Sequence, residues 1–310
     1  MTSYLTKRLI HSILIIFGIS LAVFMLSRLT GDPVSLMVGF DTPKEDREIL
    51  RKELGLDKPL FIQFAIFLKD AVKGNFGKSI RYEEPATRLV IERIPATLRL
   101  LVLTMLWALV VAIPVGIISA LKRNSIFDLL GMAVTFLGQS IPSFWLGIMM
   151  IMVVGVHFRL LPISGYGGGS LANVIMPSLT LGAFAMASFA RITRSSMLEV
   201  LDMDYIQTAR AKGVRELYVV IKHALRNALI PIVTILGLHV AHAVGGAVIT
   251  EQIFAYPGVG WLAVQSIYNR DFPVIQAIVM LVSVSVVVVN FVIDILYTLI
   301  DPRIRYDKGK

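Results

Sequence analysis

The sequence contains no cysteine and carries little charge. The absence of Cys among its 310 residues excludes a disulfide framework, a thiolate metal site and a cysteine nucleophile. Charged residues make up only 16% of the chain, against about a quarter in a soluble domain, so they cannot cover the 56% that is hydrophobic. This composition excludes an ordinary soluble enzyme. It also excludes an intrinsically disordered chain, which needs low hydropathy and high net charge.

The sequence contains long apolar stretches. Each of six is long enough to cross about 30 Å of hydrocarbon at about 1.5 Å per residue. They are residues 9–26, 97–121, 129–158, 174–190, 229–249 and 274–300. The first has no small-x-small cleavage site after it, so it is predicted to be an uncleaved helix. Pro114 and Pro142 predict kinks in the second and third spans. The predicted fold class is an all-α polytopic membrane protein with six transmembrane helices.

The distribution of positive charge predicts the orientation of these spans. Six crossings put both termini on one side, and the connections on that side are rich in Lys and Arg, as cytoplasmic loops are. These basic residues are Lys7, Arg8, Lys122, Arg123, Arg191, Arg194, Arg210, Lys212, Arg215, Lys222, Arg226, Arg303, Arg305, Lys308 and Lys310. On the opposite side the two later connections contain only Arg159 and Arg270, and the long segment 30–96, which has mixed charge, counts little in this rule. Both termini are therefore expected to be cytoplasmic.

The expected organisation has four parts. Residues 1–29 form the N-terminal cytoplasmic end and the first helix, 30–96 an external segment, 97–300 the transmembrane core with a cytoplasmic loop at 199–227, and 301–310 a cytoplasmic tail. Helical spacing of apolar residues predicts helices over 45–54 and 59–72 in the external segment.

Two patterns raise the question of ATP or metal binding. Gly77-Lys78-Ser79 is similar to the end of a phosphate-binding loop, but Val72 stands where that loop needs glycine, so a surface turn is predicted. His239 and His242 share one helix face. They are either a metal pair or a polar strip that faces a cavity or a neighbouring helix, and the lack of a nearby third ligand in the sequence favours the strip. We expect no cofactor or bound metal in this chain. The polar residues in the spans that are candidates to line a translocation path are Gln139, Ser140, His239 and His242.

The connection between the fourth and fifth spans is the most informative segment. It predicts two short helices, with Asp204 as the N-cap of the first and Gly213 at the turn, where a positive φ is permitted. Ala209 and Ala211 keep the first helix slim. The residues alone leave two interpretations open: an interfacial anchor, or a helix that enters a cleft on a cytosolic partner.

A family resemblance favours the second interpretation. Residues 204–213 and 223–231 resemble the cytoplasmic EAA loop of ABC importer permeases, and more narrowly that of the oligopeptide/dipeptide/glutathione/nickel family. The family's E-A-A-x-x-x-G pattern falls on Gln207, Thr208, Ala209 and Gly213, and departs from the general consensus at the first two positions. Further matching motifs occur in order at 29–33, 54–59, 74–77, 255–260, 270–276 and 294–303. The residues that the resemblance assigns to the ATPase-coupling loop are Asp204, Tyr205, Gln207, Thr208, Ala209, Arg210, Ala211, Lys212 and Gly213.

The resemblance implies a subunit of a type I ABC importer in the bacterial inner membrane. The chain would not be an enzyme, since ATP and Mg²⁺ would bind to two separate ATPase subunits. The other implied partners are a second homologous permease and an extracytoplasmic solute-binding protein, received by segments 30–96 and 250–272. The implied solutes are dipeptides, oligopeptides or glutathione, with a nickel chelate as the alternative. A secondary transporter is the rival class. It would explain the hydropathy but not the 208–213 segment, and Asp294 is interpreted as a structural residue near the cytoplasmic end of the last span.

Overall fold

A computed structural model describes residues 2–29, 34, 43–53 and 55–300 of the chain. Within this part the chain is almost entirely helical, and its only β-pairing is an isolated bridge between Lys78 and Pro85. Most of the 29–33 motif, Leu54 and the predicted tail at 301–310 lie outside the described residues.

The helices follow the predicted order. They are α1 (Thr2–Leu29), α2 (Lys44–Glu53), α3 (Leu60–Val72), α4 (Ala86–Leu121), α5 (Ile126–Ser140), α6 (Ser143–Met150, continued by a π-helical stretch Ile151–His157), α7 (Ala172–Leu201), α8 (Asp204–Ala211), α9 (Glu216–Ile253), α10 (Val259–Tyr268) and α11 (Phe272–Ile300). The helices predicted over 45–54 and 59–72 are confirmed as α2 and α3. The second predicted helix of the 199–227 loop is not separate, because it runs through a π-helical stretch (Val219–Leu225) into α9.

Among the described residues, five helices are long and apolar enough to cross a membrane, and the third predicted span is a broken one. The five are α1, α4, α7, α9 and α11, whereas α5 and α6 meet at an angle of 104°. Ile141 is extended there and Pro142 occupies the N-cap position of α6. The expected kink at Pro142 is thus a complete break. By contrast, α4 continues through Pro114 without interruption.

Contacts with α7 indicate that the α5–α6 pair is one broken span. Asp128, at the start of α5, binds Arg194 near the end of α7 at 2.6 Å. Gly138 lies against Ala183 and Ala187, and Gly147 of α6 lies against Thr180. As the pair advances, its partners move steadily back towards the start of α7. This order of contacts is the one expected for a single broken span, which would be the sixth crossing.

The described residues up to Pro95 form one compact unit together with Gly258–Phe291. Its apolar core includes Phe76, Val90, Leu262 and Val274. The buried carboxylate of Asp271 holds the loop before α4, since it accepts hydrogen bonds from the Ser79 hydroxyl at 2.5 Å and the Ile80 N–H at 3.2 Å. The prediction of a simple surface turn at 77–79 is wrong, because Ser79 is buried.

The second unit comprises Ala96–Pro257 and the described residues from Val292 to Ile300. Small residues allow α4 and α7 to pack closely and in parallel. A Cβ at Gly182 would lie 2.8 Å from the Trp107 ring of α4, and one at Gly116 would lie 2.5 Å from Thr193 of α7. Helix α9 returns alongside, since Ile232 packs with Phe189 and the Thr97 hydroxyl donates to Glu251 at 2.6 Å. This unit contains the connection between the fourth and fifth spans.

Candidate functional site

Helix α8 is fixed to the ends of the spans by one apolar side chain. Ile206 is fully buried and lies in a cluster with Ala120 of α4, Met197 and Val200 of α7, and Val220 of α9. These residues come from three membrane helices, so α8 contacts all three through one cluster. A displacement of α8 would therefore act on three spans together.

The turn after α8 has the backbone conformation that the sequence predicts. Gly213 has φ +76°, a region that L side chains rarely adopt, and the space where its Cβ would lie is open. Beyond the turn, the Glu216 carboxylate accepts two hydrogen bonds from Arg210, at 2.7 and 3.1 Å. These bonds raise the pKa of Arg210 and connect the end of α8 to the start of α9.

Asp204 does not have the predicted role. The N-cap of α8 is Met203, which provides no side-chain hydrogen bond, and Asp204 is the first helical residue. Its backbone carbonyl accepts a bond from the Thr208 hydroxyl at 2.9 Å. The acidic side chain in the first turn still interacts favourably with the helix dipole.

Of the two alanines expected to keep the exposed surface of α8 slim, only one is exposed. Ala209 is half-buried and packs against the Ile206 cluster, whereas Ala211 is exposed. Tyr205 is also exposed, and its hydroxyl accepts a hydrogen bond from Asn227 of α9 at 2.6 Å. The surface available to a partner, here called the α8 face, consists of Tyr205, Gln207, Thr208, Ala211 and Lys212.

A buried ion pair lies beside this segment, and sequence reasoning missed it. Arg194 donates to both carboxylate oxygens of Asp128, at 2.6 and 2.7 Å, and the Asn124 N–H donates to the same carboxylate at 3.0 Å. The pair joins the beginning of α5 to the end of α7. Arg194 was counted only as a positive charge near the cytoplasmic surface, and nothing in the local sequence connects it to Asp128.

The four polar residues predicted to line a path are only partly brought together. Gln139 and His242 line one cavity at the α5–α6 break. His239 is buried and packs on the rings of Phe184 and Phe189, with centroids 5.8 and 4.8 Å away. Ser140 is exposed and donates to the Phe136 carbonyl at 2.9 Å. No group of three or more His, Cys, Asp or Glu side chains that could hold a metal occurs in the described part of the chain.

Comparison with known proteins identifies the family. Residues 112–306 match the family described as binding-protein-dependent transport system inner membrane component, and residues 1–101 match its N-terminal component. The chain belongs to this family of ABC importer permeases. It is therefore a transport permease subunit and a multi-pass protein of the inner membrane.

Two relatives support this assignment, and one solved structure has a similar fold. The glutathione transport system permease protein GsiC of Escherichia coli (strain K12) is 43% identical over 307 residues, covering 99% of this chain and all of GsiC. GsiC of Shigella dysenteriae serotype 1 (strain Sd197) has the same identity and coverage. The fold is similar to a chain of the inward-facing MetNI methionine ABC transporter, with a TM-score of 0.58, 20% identity, and coverage of 69% of this chain and 96% of that one.

Proposed function

We propose that this permease is one of two membrane subunits of an ATP-driven importer of glutathione or related short peptides. The observation that carries the proposal is the 43% identity to a glutathione transport permease over essentially the full length of both chains. The second subunit would be a homologous permease, and together the two would enclose the path of the solute. An extracytoplasmic binding protein would deliver the solute.

Separate ATPase subunits would bind the α8 face and supply the energy. The exposed Tyr205, Thr208 and Ala211 support this role, because they form a short polar surface on a helix whose other side is buried in the permease. ATP-driven closure of the ATPases would shift α8, and the Ile206 cluster would transmit the shift to α4, α7 and α9. Such coupling requires α8 to make different contacts in the two states.

The orientation follows from this role. Six crossings put both termini on the side of α8, which would be the cytoplasm if α8 binds the ATPases. The Lys and Arg residues near α8 support the same assignment. The Ser79–Asp271 region and the loop before α10 would then face outward and receive the binding protein.

Reconstitution tests the proposed function. The permease, its partner permease and the ATPases are placed in proteoliposomes with the binding protein, and uptake of radiolabelled glutathione is measured. We expect uptake that depends on ATP and on the binding protein, and none from this chain alone. ATP-independent uptake by the chain alone would instead identify a secondary transporter.

A further inference from the structure

A cavity of about 230 Å³ lies at the break between α5 and α6. Its polar lining comes from Gln139 and Ser143 at the break, Thr180 of α7 and His242 of α9. Thr180 lies about 12 Å along α7 from its start at Ala172, at about 1.5 Å per residue. The volume lies below the range of about 300–1,000 Å³ for whole small ligands, so the cavity suits one part of a solute.

The start of α6 lies at the break, since Ser143 and Leu146 of its first turn line the cavity. The first N–H groups of a helix have no acceptor within that helix. At α6 the N-cap residue is Pro142, and no side chain caps the helix. The N–H groups of the first turn and the positive end of the helix dipole are therefore available to an anion.

Thr180 lines the cavity and has an unpaired hydroxyl. Its side chain is 1% exposed, and its hydroxyl has no hydrogen-bond partner among the described residues. Threonine in a helix usually donates to a carbonyl of the preceding turn, as Thr193 does to Phe189 at 2.7 Å on the same helix. A small rotation of the Thr180 side chain would let a bound acceptor satisfy this hydroxyl.

The remaining polar groups are of the same chemical kind. Gln139 and His242 each carry an N–H donor, and Ser143 carries a hydroxyl. Phe184 packs against the His242 ring with centroids 5.7 Å apart, which restricts the orientation of that ring. No Asp or Glu is among the residues that line the cavity. Each of these groups can also accept a hydrogen bond, but with no carboxylate among them the cavity can accommodate an anionic acceptor.

We infer that this cavity, here called the break site, binds a carboxylate of the solute during its passage. The inference rests on the proposed function, since it assigns a step on the path of a peptide. A carboxylate would accept from the first turn of α6, from Thr180 and from His242, and Phe184 would contact the apolar part of the same solute. The site would select for acids among the solutes that the binding protein releases.

Direct binding to the importer without its binding protein tests the break site, because the binding protein could itself select for carboxylates. The complete membrane complex is placed in nanodiscs, and equilibrium binding of radiolabelled glutathione is measured by scintillation proximity. Glutathione diester, which lacks free carboxylates, serves as competitor. We expect the diester to compete at least tenfold more weakly than glutathione.

Three variants complete the test. Gln139→Glu adds a negative charge at constant shape and should weaken glutathione binding at least tenfold. Thr180→Val removes only the hydroxyl and should weaken binding about fivefold. Thr193→Val is the matched control on α7, since its hydroxyl already has a partner outside the cavity, and it should bind normally.

The outcomes separate this inference from the proposed function. Unchanged binding in Gln139→Glu and Thr180→Val, or equal competition by the diester, would overturn the break site while ATP-driven uptake persisted. Absence of any uptake by the unmodified importer would overturn the proposed function and the break site with it.

Discussion

At the residue scale, the Asp128–Arg194 pair is the clearest source of local stability. Asp128 is almost fully buried, and the side chain of Arg194 is 25% exposed. Asp128→Ala leaves a largely buried guanidinium without its partner, and we expect a loss of about 2–3 kcal/mol in the free energy of unfolding. Heat denaturation of the purified protein in detergent measures this loss.

The matched control is the exposed pair Arg88–Glu92, in which both side chains are more than half exposed. Glu92→Ala should lower the free energy of unfolding far less than Asp128→Ala, because water already screens that interaction. Equal losses in the two variants would contradict the structural role of the Asp128 pair.

Tyr256 is a second residue whose environment predicts how its replacement changes the stability of the protein. Its side chain is fully buried and its hydroxyl has no partner among the described residues. Tyr256→Phe should therefore leave the free energy of unfolding within about 1 kcal/mol of the original or raise it, whereas Tyr256→Ala should lower it by about 3–5 kcal/mol. A large loss in Tyr256→Phe would reveal a partner for the hydroxyl.

The same residue gives a pH dependence with a defined sign. Burial raises the pKa of Tyr256 to about 12, above the ordinary value of 10.0. Its contribution to stability is thus complete below pH 10 and is lost as the pH rises towards 12. Tyr256→Phe should make the decline in stability over this interval shallower, as measured by denaturation at fixed pH values.

At the scale of the element, α8 depends on the Gly213 turn and on its exposed face. Gly213→Val should strain the turn by about 1–3 kcal/mol, because a β-branched side chain is sterically unfavourable at a φ of +76°. Ala211→Glu should add charge and bulk to the α8 face. Both residues lie outside the membrane-spanning segments, so we expect normal membrane abundance, weaker co-purification of the ATPases and loss of ATP-driven uptake.

Controls for α8 separate docking from folding. Ala211→Ser keeps the surface small and should retain transport. Ala209→Glu, by contrast, should destabilise the permease itself, because Ala209 packs against the Ile206 cluster. If Ala211→Glu and Gly213→Val both bound the ATPases fully and transported normally, α8 would be an interfacial anchor only.

At the scale of the whole molecule, the number of crossings decides the orientation of every loop. A reporter fused after Lys310 should be cytoplasmic, and one inserted at Lys78 should be external. A third reporter at Gly168, between α6 and α7, should also be external, because the α5–α6 pair traverses the membrane. A cytoplasmic signal at Gly168 would instead make that pair re-entrant and reverse the predicted side of α8.

The sequence by itself determined the class of the protein and the place of its most informative segment. Composition excluded a soluble fold, apolar length predicted the spans, and the glycine at position 213 predicted a positive φ that the structure contains. These features are local: a span needs only about 20 apolar neighbours, and a turn needs only a residue without a Cβ.

Only the tertiary structure decided which polar residues meet. Ser79 is buried because Asp271, 192 positions away, accepts its hydrogen bond, and Arg194 is paired because α5 brings Asp128 beside α7. Pro142 was predicted to kink a span, but the structure has a 104° break there, and Thr180 and His242 line the cavity at this break. The inward position of Ala209 likewise depends on packing against three membrane helices. The sequence pattern shows how apolar each residue is. The partners of that residue depend on how helices that are distant in sequence pack together.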